Sequence, residues 1–144
     1  MTVLFDTSVL IASMVESHVK HDLAFHWLTQ ANDKEIRAII AAHTLLEIYS
    51  VLTSAPFKPP IPPQIAQNLI TKNIKKNFEI ISLTAEEYIE LLDKLADINL
   101  IGGIVYDALI MHCAQKAGAE KIVTANRKDF MRLNRDNHIE IVAI

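Results

Sequence analysis

Four places along the chain set a carboxylate or an amide beside or inside an apolar run. Asp6 ends Val3-Leu4-Phe5. Glu47 sits among Leu45, Leu46, Ile48, Val51 and Leu52. Asp107 is wedged between Ile104-Val105-Tyr106 and Ala108-Leu109-Ile110. Asn126 and Asp129 follow Lys121-Ile122-Val123-Thr124. A carboxylate in such company must be solvated, paired or bound to a cation, because burying it alone is very costly. If the four places meet, the site offers several oxygen donors and no sulfur. That donor set selects hard cations, Mg2+ or Mn2+. Mg2+ held by carboxylates, keeping several waters, is the usual arrangement for handling phosphates. It activates water and stabilises charge on an in-line phosphoryl displacement. With no cation, at least one of the crowded carboxyl groups must carry a raised pKa.

Each of these residues also has a plainer use. Asp6 can cap the helix that follows it. Glu47 lies three residues after Thr44, the spacing of a capping box. Asp129 suits an ordinary turn. All four places together favour a shared site at which Asp6, Glu47 and Asp107 stand within metal-bridging distance.

The elements that carry them alternate. Val3-Leu4-Phe5 reads as a strand buried on both faces. A helix follows from Ser8 to Glu16. Asp6 therefore lies where a strand ends and a helix begins, and open parallel sheets bind ligands outside the carboxyl ends of their strands. A second helix spans His21 to Ala31, with Leu23, Ala24, Trp27 and Leu28 inward. Ala38 to Ala41 is a strand, and His43-Thr44 opens a helix ending at Ser54. All five prolines lie between Pro56 and Pro63, a stiff loop whose last pair starts a helix. That helix turns Ile65, Leu69 and Ile70 inward and Lys72, Lys75 and Lys76 outward. Ile80 to Leu83 is the third strand. Thr84 and Glu87 form a capping box for a helix to Asp97. Ile104 to Ala117 is a helix ended by Gly118 in a left-handed cap. Lys121 to Thr124 and Ile139 to Val142 complete the strands. Such alternation implies a parallel sheet covered on both sides.

The length, 144 residues, suits one domain spanning 1–144. Hydrophobic residues make up 51% and charged ones 22%, which supports a full core and argues against disorder. The net charge of −3 argues against a general nucleic-acid binder, so any such contact must be local. The single cysteine, Cys113, reads as a small core residue of a reducing compartment. Asp6 interrupts the first apolar run, and no run reaches the roughly 18 residues of a membrane span. The chain is expected to be soluble and cytoplasmic. His18, His21 and His26 are near one another in sequence, but no Cys or closing ligand pattern accompanies them.

Leu4-Phe5-Asp6-Thr7-Ser8, Leu46-Glu47-Ile48-Tyr49-Ser50-Val51-Leu52, Tyr106-Asp107-Ala108-Leu109-Ile110 and Thr124 to Phe130 follow in order over nearly the whole chain. In these the chain resembles the PIN-domain ribonucleases, and is most similar to the VapC-type toxins of bacterial and archaeal toxin–antitoxin systems. The resemblance implies a three-layer α/β/α fold with a parallel sheet of about five strands, its acidic residues clustered at one end. It implies Mg2+-dependent (or Mn2+-dependent) endonucleolytic cleavage of RNA. Asp6 and Asp107 are then the main metal ligands, Glu47 completes the pocket, and either Asn126 or Asp129 takes the fourth position. Thr7, Ser8 and Thr124 would hydrogen-bond the carboxylates from behind. It also implies a cognate antitoxin that covers the site, with an Arg or Lys reaching into the acidic pocket.

Receiver domains and Asp-x-Asp phosphatases share the layout, but both need paired acids after the first strand. Here Thr7-Ser8 follow a single Asp6. A non-catalytic interaction module of the same fold is the alternative, since fold does not fix function. Apolar residues near Phe25, Trp27 and Phe57 are expected to serve the partner interface or a homodimer. RNA phosphates are expected to meet Arg127 and Lys128, with Arg132 nearby, in preference to the Lys72, Lys75 and Lys76 face.

Overall fold

A computed structural model describes residues 1–136 and 138–144. Its strands are β1 (Thr2–Phe5), β2 (Arg37–Ala41), β3 (Phe78–Ile81), β4 (Lys121–Thr124) and β5 (Glu140–Ala143). Its helices are α1 (Thr7–Met14), α2 (His21–Asn32), α3 (Ala42–Ser54), α4 (Pro63–Ile74), α5 (Ala85–Asp97), α6 (Ile104–Lys116) and α7 (Arg127–Leu133). The five strands form one sheet in the order β3-β2-β1-β4-β5. Every neighbouring pair is parallel.

The short apolar strands explain the layering. Successive side chains of a strand point to opposite faces. Val3 and Phe5 therefore enter one core, with Ala38, Ile40 and Val123. Leu4 enters the other, with Ile39, Ala41 and Ile122. Helices α1 to α4 cover the first face through Val9, Leu10, Ala24, Leu28, Ile48, Leu52, Ala66 and Ile74. Helices α5 to α7 cover the second through Leu91, Leu95, Ile110, Ala114 and Phe130. The result is the expected α/β/α sandwich. Phe5 anchors it, wholly buried and edge-on to Phe78 at 4.9 Å and Trp27 at 6.4 Å between ring centroids. Truncating such a side chain to Ala typically costs about 3–5 kcal/mol.

The strand order places the site. From β1 the chain moves outward to β2 and β3 on one side, then returns to β4 and β5 on the other. The topological switch point, where ligands bind in such sheets, lies between β1 and β4. Asp6 and Thr124 end or follow those two strands, and the Asp6 N–H donates to the Val123 carbonyl at 3.0 Å.

Several sequence expectations shift. The third strand is Phe78–Ile81, not Ile80 to Leu83. Phe78 pairs with Ala38 and packs on Phe5, which fixes the register two residues earlier. Leu23 is 59% exposed, because Ala24, Leu28 and Ala31 form the buried face of α2. Ile65 likewise points out, since α4 buries Ala66 and Ile74. Trp27 and Phe57 are half-buried against the first core and are not free surface, whereas Phe25 is exposed. The Thr84–Glu87 capping box forms, and Lys116 Nζ reaches Glu87 Oε1 at 2.6 Å. That cation and the cap hold the Glu87 carboxyl down at about 2. Gly118 adopts φ +67° at the end of α6, a conformation that suits glycine. Among the described residues no helix is long and apolar enough to cross a membrane.

Candidate active site

Asp6 is both a helix cap and a buried acid. Its Oδ1 accepts from the Thr7 N–H at 2.8 Å. Its Oδ2 accepts from the Ser8 hydroxyl and from the Thr124 hydroxyl, each at 2.7 Å. Burial pushes its pKa up, against the lowering effect of these hydrogen bonds. The capping use and the site use thus share one carboxylate.

Glu47 comes from the second turn of α3. Its Oε1 lies 3.2 Å from the Thr7 hydroxyl and 3.4 Å from His43 Nε2. Burial raises its pKa, partly offset by His43. No Thr44–Glu47 capping box exists. The cap position of α3 is Ala41, and Thr44 is buried one turn too late to cap, 3.2 Å from the Thr7 hydroxyl.

Asp107 stands in the first turn of α6, half-buried. Its pKa is pushed up to about 7, first by burial and then by the negative charges of Asp6, Asp129 and Glu47. That direction is the one expected for a buried carboxyl with other carboxylates nearby and no cation. Asn126, at the cap position of α7, ties the far side together. Its Nδ2 donates to Asp129 Oδ2 at 2.8 Å and lies 3.4 Å from Asp107 Oδ2. Its N–H donates to the Thr124 hydroxyl at 2.8 Å, and the Ala125 N–H donates to Ser8 Oγ at 3.1 Å. Asn126 and Asp129 therefore both belong to the cluster, the first as a bridging amide and the second as the charge.

The three expected ligands are not in bridging geometry. Among the described residues no group of three or more His, Cys, Asp or Glu side chains is arranged to hold a metal ion. Asp6 and Glu47 turn their oxygens to the Thr7, Ser8 and Thr124 hydroxyls and Asp107 turns to Asn126. By its chemistry the donor set still suits a hard cation: oxygen only, several carboxylates, and an Asp107 held towards neutrality by burial and then by the negative charges of its neighbours.

Arg127 and Lys128 lie in the first turn of α7, exposed, beside Asn126. The ion pairs among the described residues use other cations. The histidines of the α2 region each serve a local contact. His18 accepts from the Lys20 N–H, His21 meets the Ala12 carbonyl, and His26 pairs with Gln30. Two residues without a sequence-assigned role emerge at the site. The rings of His43 and Tyr106 stack 5.1 Å apart and 2° from parallel. The available signal was position: His43 is one helical turn before Glu47, and Tyr106 directly precedes Asp107.

The PIN domain family model matches residues 3–136. The ribonuclease VapC40 of Mycobacterium tuberculosis is 34% identical over 115 residues, 80% of each chain. The chain belongs to the PIN-domain family, on its VapC-type branch. Solved structures agree on the fold. VapBC2 of Rickettsia felis, bound to a promoter DNA fragment, superposes with a TM-score of 0.63 at 22% identity, covering 99% of this chain and 98% of that one. VapC20 of M. tuberculosis, a toxin that cleaves the sarcin–ricin loop, gives a TM-score of 0.65 at 15% identity, covering 83% and 86%.

Proposed function

We infer that the chain is a metal-dependent endoribonuclease and the toxin of a toxin–antitoxin pair. The observation that carries this is the half-buried Asp107 carboxyl at the β1/β4 switch point, lifted to about 7 by burial and then by the charges of Asp6, Asp129 and Glu47. Kinship with ribonucleases of the VapC type supplies the substrate class. Asp6 and Asp107 would hold Mg2+ or Mn2+, with Glu47 and Asp129 completing the oxygen set. Once bound, the ion supplies an activated water and neutralises charge on the phosphate under attack.

The chain's own residues do the rest. Thr124 and Ser8 fix the Asp6 carboxylate through two short hydrogen bonds. Thr7 orients Glu47. Asn126 keeps Asp107 and Asp129 facing one another across a single amide. The cluster repels RNA until its charge is neutralised, so affinity comes from the rim, where Arg127 and Lys128 meet phosphates irrespective of sequence.

A free ribonuclease would damage its own cell, so an antitoxin that inserts a cation into the cluster is the natural control. The relatives of known structure include a VapBC complex, which supports that partner. A second copy of the chain is the other partner, and exposed Leu23 and Phe25 on α2 leave apolar surface for either. Cys113 is buried with its thiol raised to about 11, an inert side chain that suits the cytoplasm.

The test is cleavage of a mixed cellular RNA by the purified chain with added Mg2+ or Mn2+. Activity should vanish with a chelator and in Asp6→Asn and Asp107→Asn. Cleavage that survives either substitution would refute the carboxylate site, and none by the wild type under any divalent ion would leave a non-catalytic module of the same fold.

A further inference from the structure

We propose that the stacked rings of His43 and Tyr106 form a platform for one unpaired nucleobase of the RNA, beside the phosphate at the carboxylates. The proposal rests on the ribonuclease reading of that site. The two rings come from different carboxylate-bearing helices. His43 is the second residue of α3, and its Nε2 lies 3.4 Å from Glu47 Oε1. Tyr106 is the third residue of α6 and is bonded directly to Asp107. The stack therefore spans the rim between two members of the cluster.

Neither ring is spent on the core. Tyr106 is 54% exposed, and the His43 side chain keeps 30% of its surface. Stacking covers one face of each ring, which leaves aromatic surface open next to the acids. The approach is open as well. Ile101, just ahead of α6, is 84% exposed. A Cβ added at Gly102 or Gly103 would meet nothing within 4 Å. On the far side of Asp107, Asn126 leads to exposed Arg127 and Lys128. The order is then aromatic plane, carboxylates, cations. It matches base, scissile phosphate and neighbouring phosphate along one strand.

Every base has a π face, so stacking tolerates sequence but requires a base freed from its duplex. The substrate class follows: a single strand or a loop, not a continuous helix. An exposed ring beside acids also fits an arginine of a protein partner through cation–π contact. The alignment with the cations of α7 favours the nucleotide.

The probe is a short single-stranded RNA carrying one 2-aminopurine, bound in Ca2+, with gels confirming that the strand stays intact. Binding to the wild type should quench the fluorophore. Tyr106→Ala should bind about tenfold more weakly, the scale of one base–aromatic stack, and quench less. Tyr106→Phe should match the wild type. Tyr106→Leu, which fills the space without a π face, should behave like the Ala variant and guards against a mere packing effect. An abasic residue in place of the fluorophore should weaken wild-type binding as much as Tyr106→Ala does, and the two losses should not add. A duplex of the same sequence should not distinguish wild type from variant.

Unchanged affinity in Tyr106→Ala and Tyr106→Leu, or additive losses, would overturn the platform. So would a loss confined to an arginine-bearing peptide used as a competing probe. Base quenching by a wild type that cleaves no RNA in Mg2+ or Mn2+ would refute the nuclease reading while the platform stands. Cleavage and binding that ignore Tyr106 would do the reverse.

Discussion

Asp107→Asn should make the metal-free protein more stable while abolishing its activity. In the folded chain the Asp107 carboxyl titrates near 7, against 3.8 for an unhindered Asp. Its folded pKa is raised, so its contribution to stability is fully present below about pH 4 and is lost as pH rises through about 7. Above that, the folded state carries a charge that burial and the charges of Asp6, Asp129 and Glu47 oppose. The whole shift corresponds to about 4 kcal/mol, but the group is half exposed, and solvent screening leaves about 1–2 kcal/mol. Asn keeps the shape and an oxygen for Asn126 while removing the charge. Urea unfolding in a chelator, at several values between about pH 4 and pH 8, measures the difference. The variant and the wild type should agree at the acid end and diverge steadily, with the variant ahead by about 1–2 kcal/mol at the alkaline end. Added Mg2+ should then stabilise the wild type more than the variant, because a ligand that binds only the folded state adds its binding energy. A variant less stable than the wild type at alkaline pH, or a gap that ignores pH, would refute the mutual field on which the site reading stands.

Thr124→Val removes a hydroxyl that donates to Asp6 and accepts from the Asn126 N–H. It should cost about 1–3 kcal/mol in thermal or urea unfolding and raise the Asp6 pKa further. Thr84→Ala deletes the cap of α5, should cost about 1 kcal/mol, and should leave RNA cleavage unchanged, since the cap's hydrogen bonds join Thr84, Glu87 and Lys116 and none of the four carboxylates. Arg127→Ala with Lys128→Ala should weaken RNA binding across sequences and lower the salt slope by about one per lost contact. Lys75→Ala with Lys76→Ala should do less in the same titration.

The fold was legible because its strands are short apolar runs and its helices carry explicit start and stop signals. Pro63, Thr84 and Gly118 each act where their chemistry places them. Boundaries failed where tertiary packing set the register. Phe78 belongs to β3 because it fills the space against Phe5, a contact between residues far apart in sequence. On α2 and α4 the inward expectation is met by Ala24, Trp27, Leu28, Leu69 and Ile70 and fails for Leu23 and Ile65, which turn to solvent while small Ala24, Ala31 and Ala66 let the helices approach the sheet. At the site, carboxylates stranded among apolar residues were visible, whereas the His43–Tyr106 stack was not. Ring-to-ring geometry between two helices leaves no trace in local pattern.

The site and the stability of the chain draw on the same groups. Asp6 caps α1, accepts from Thr124 across the β1/β4 junction, and holds Ser8, which in turn accepts from the Ala125 N–H. Those contacts knit the central strands to α1 and to the turn before α7. They also keep Asp6 buried within reach of Asp107, where its charge adds to the burial that raises the Asp107 pKa. Relieving that repulsion by substitution removes a candidate ligand; relieving it with a cation would complete the proposed site. A chain built this way should gain stability from its metal and lose it when the metal leaves. An inhibitor that brings a guanidinium or ammonium group would meet the same demand for positive charge. On the proposed function, a metal ion and a cationic side chain of the partner would compete for the negative charge that Asp6, Asp129 and Glu47 set around Asp107.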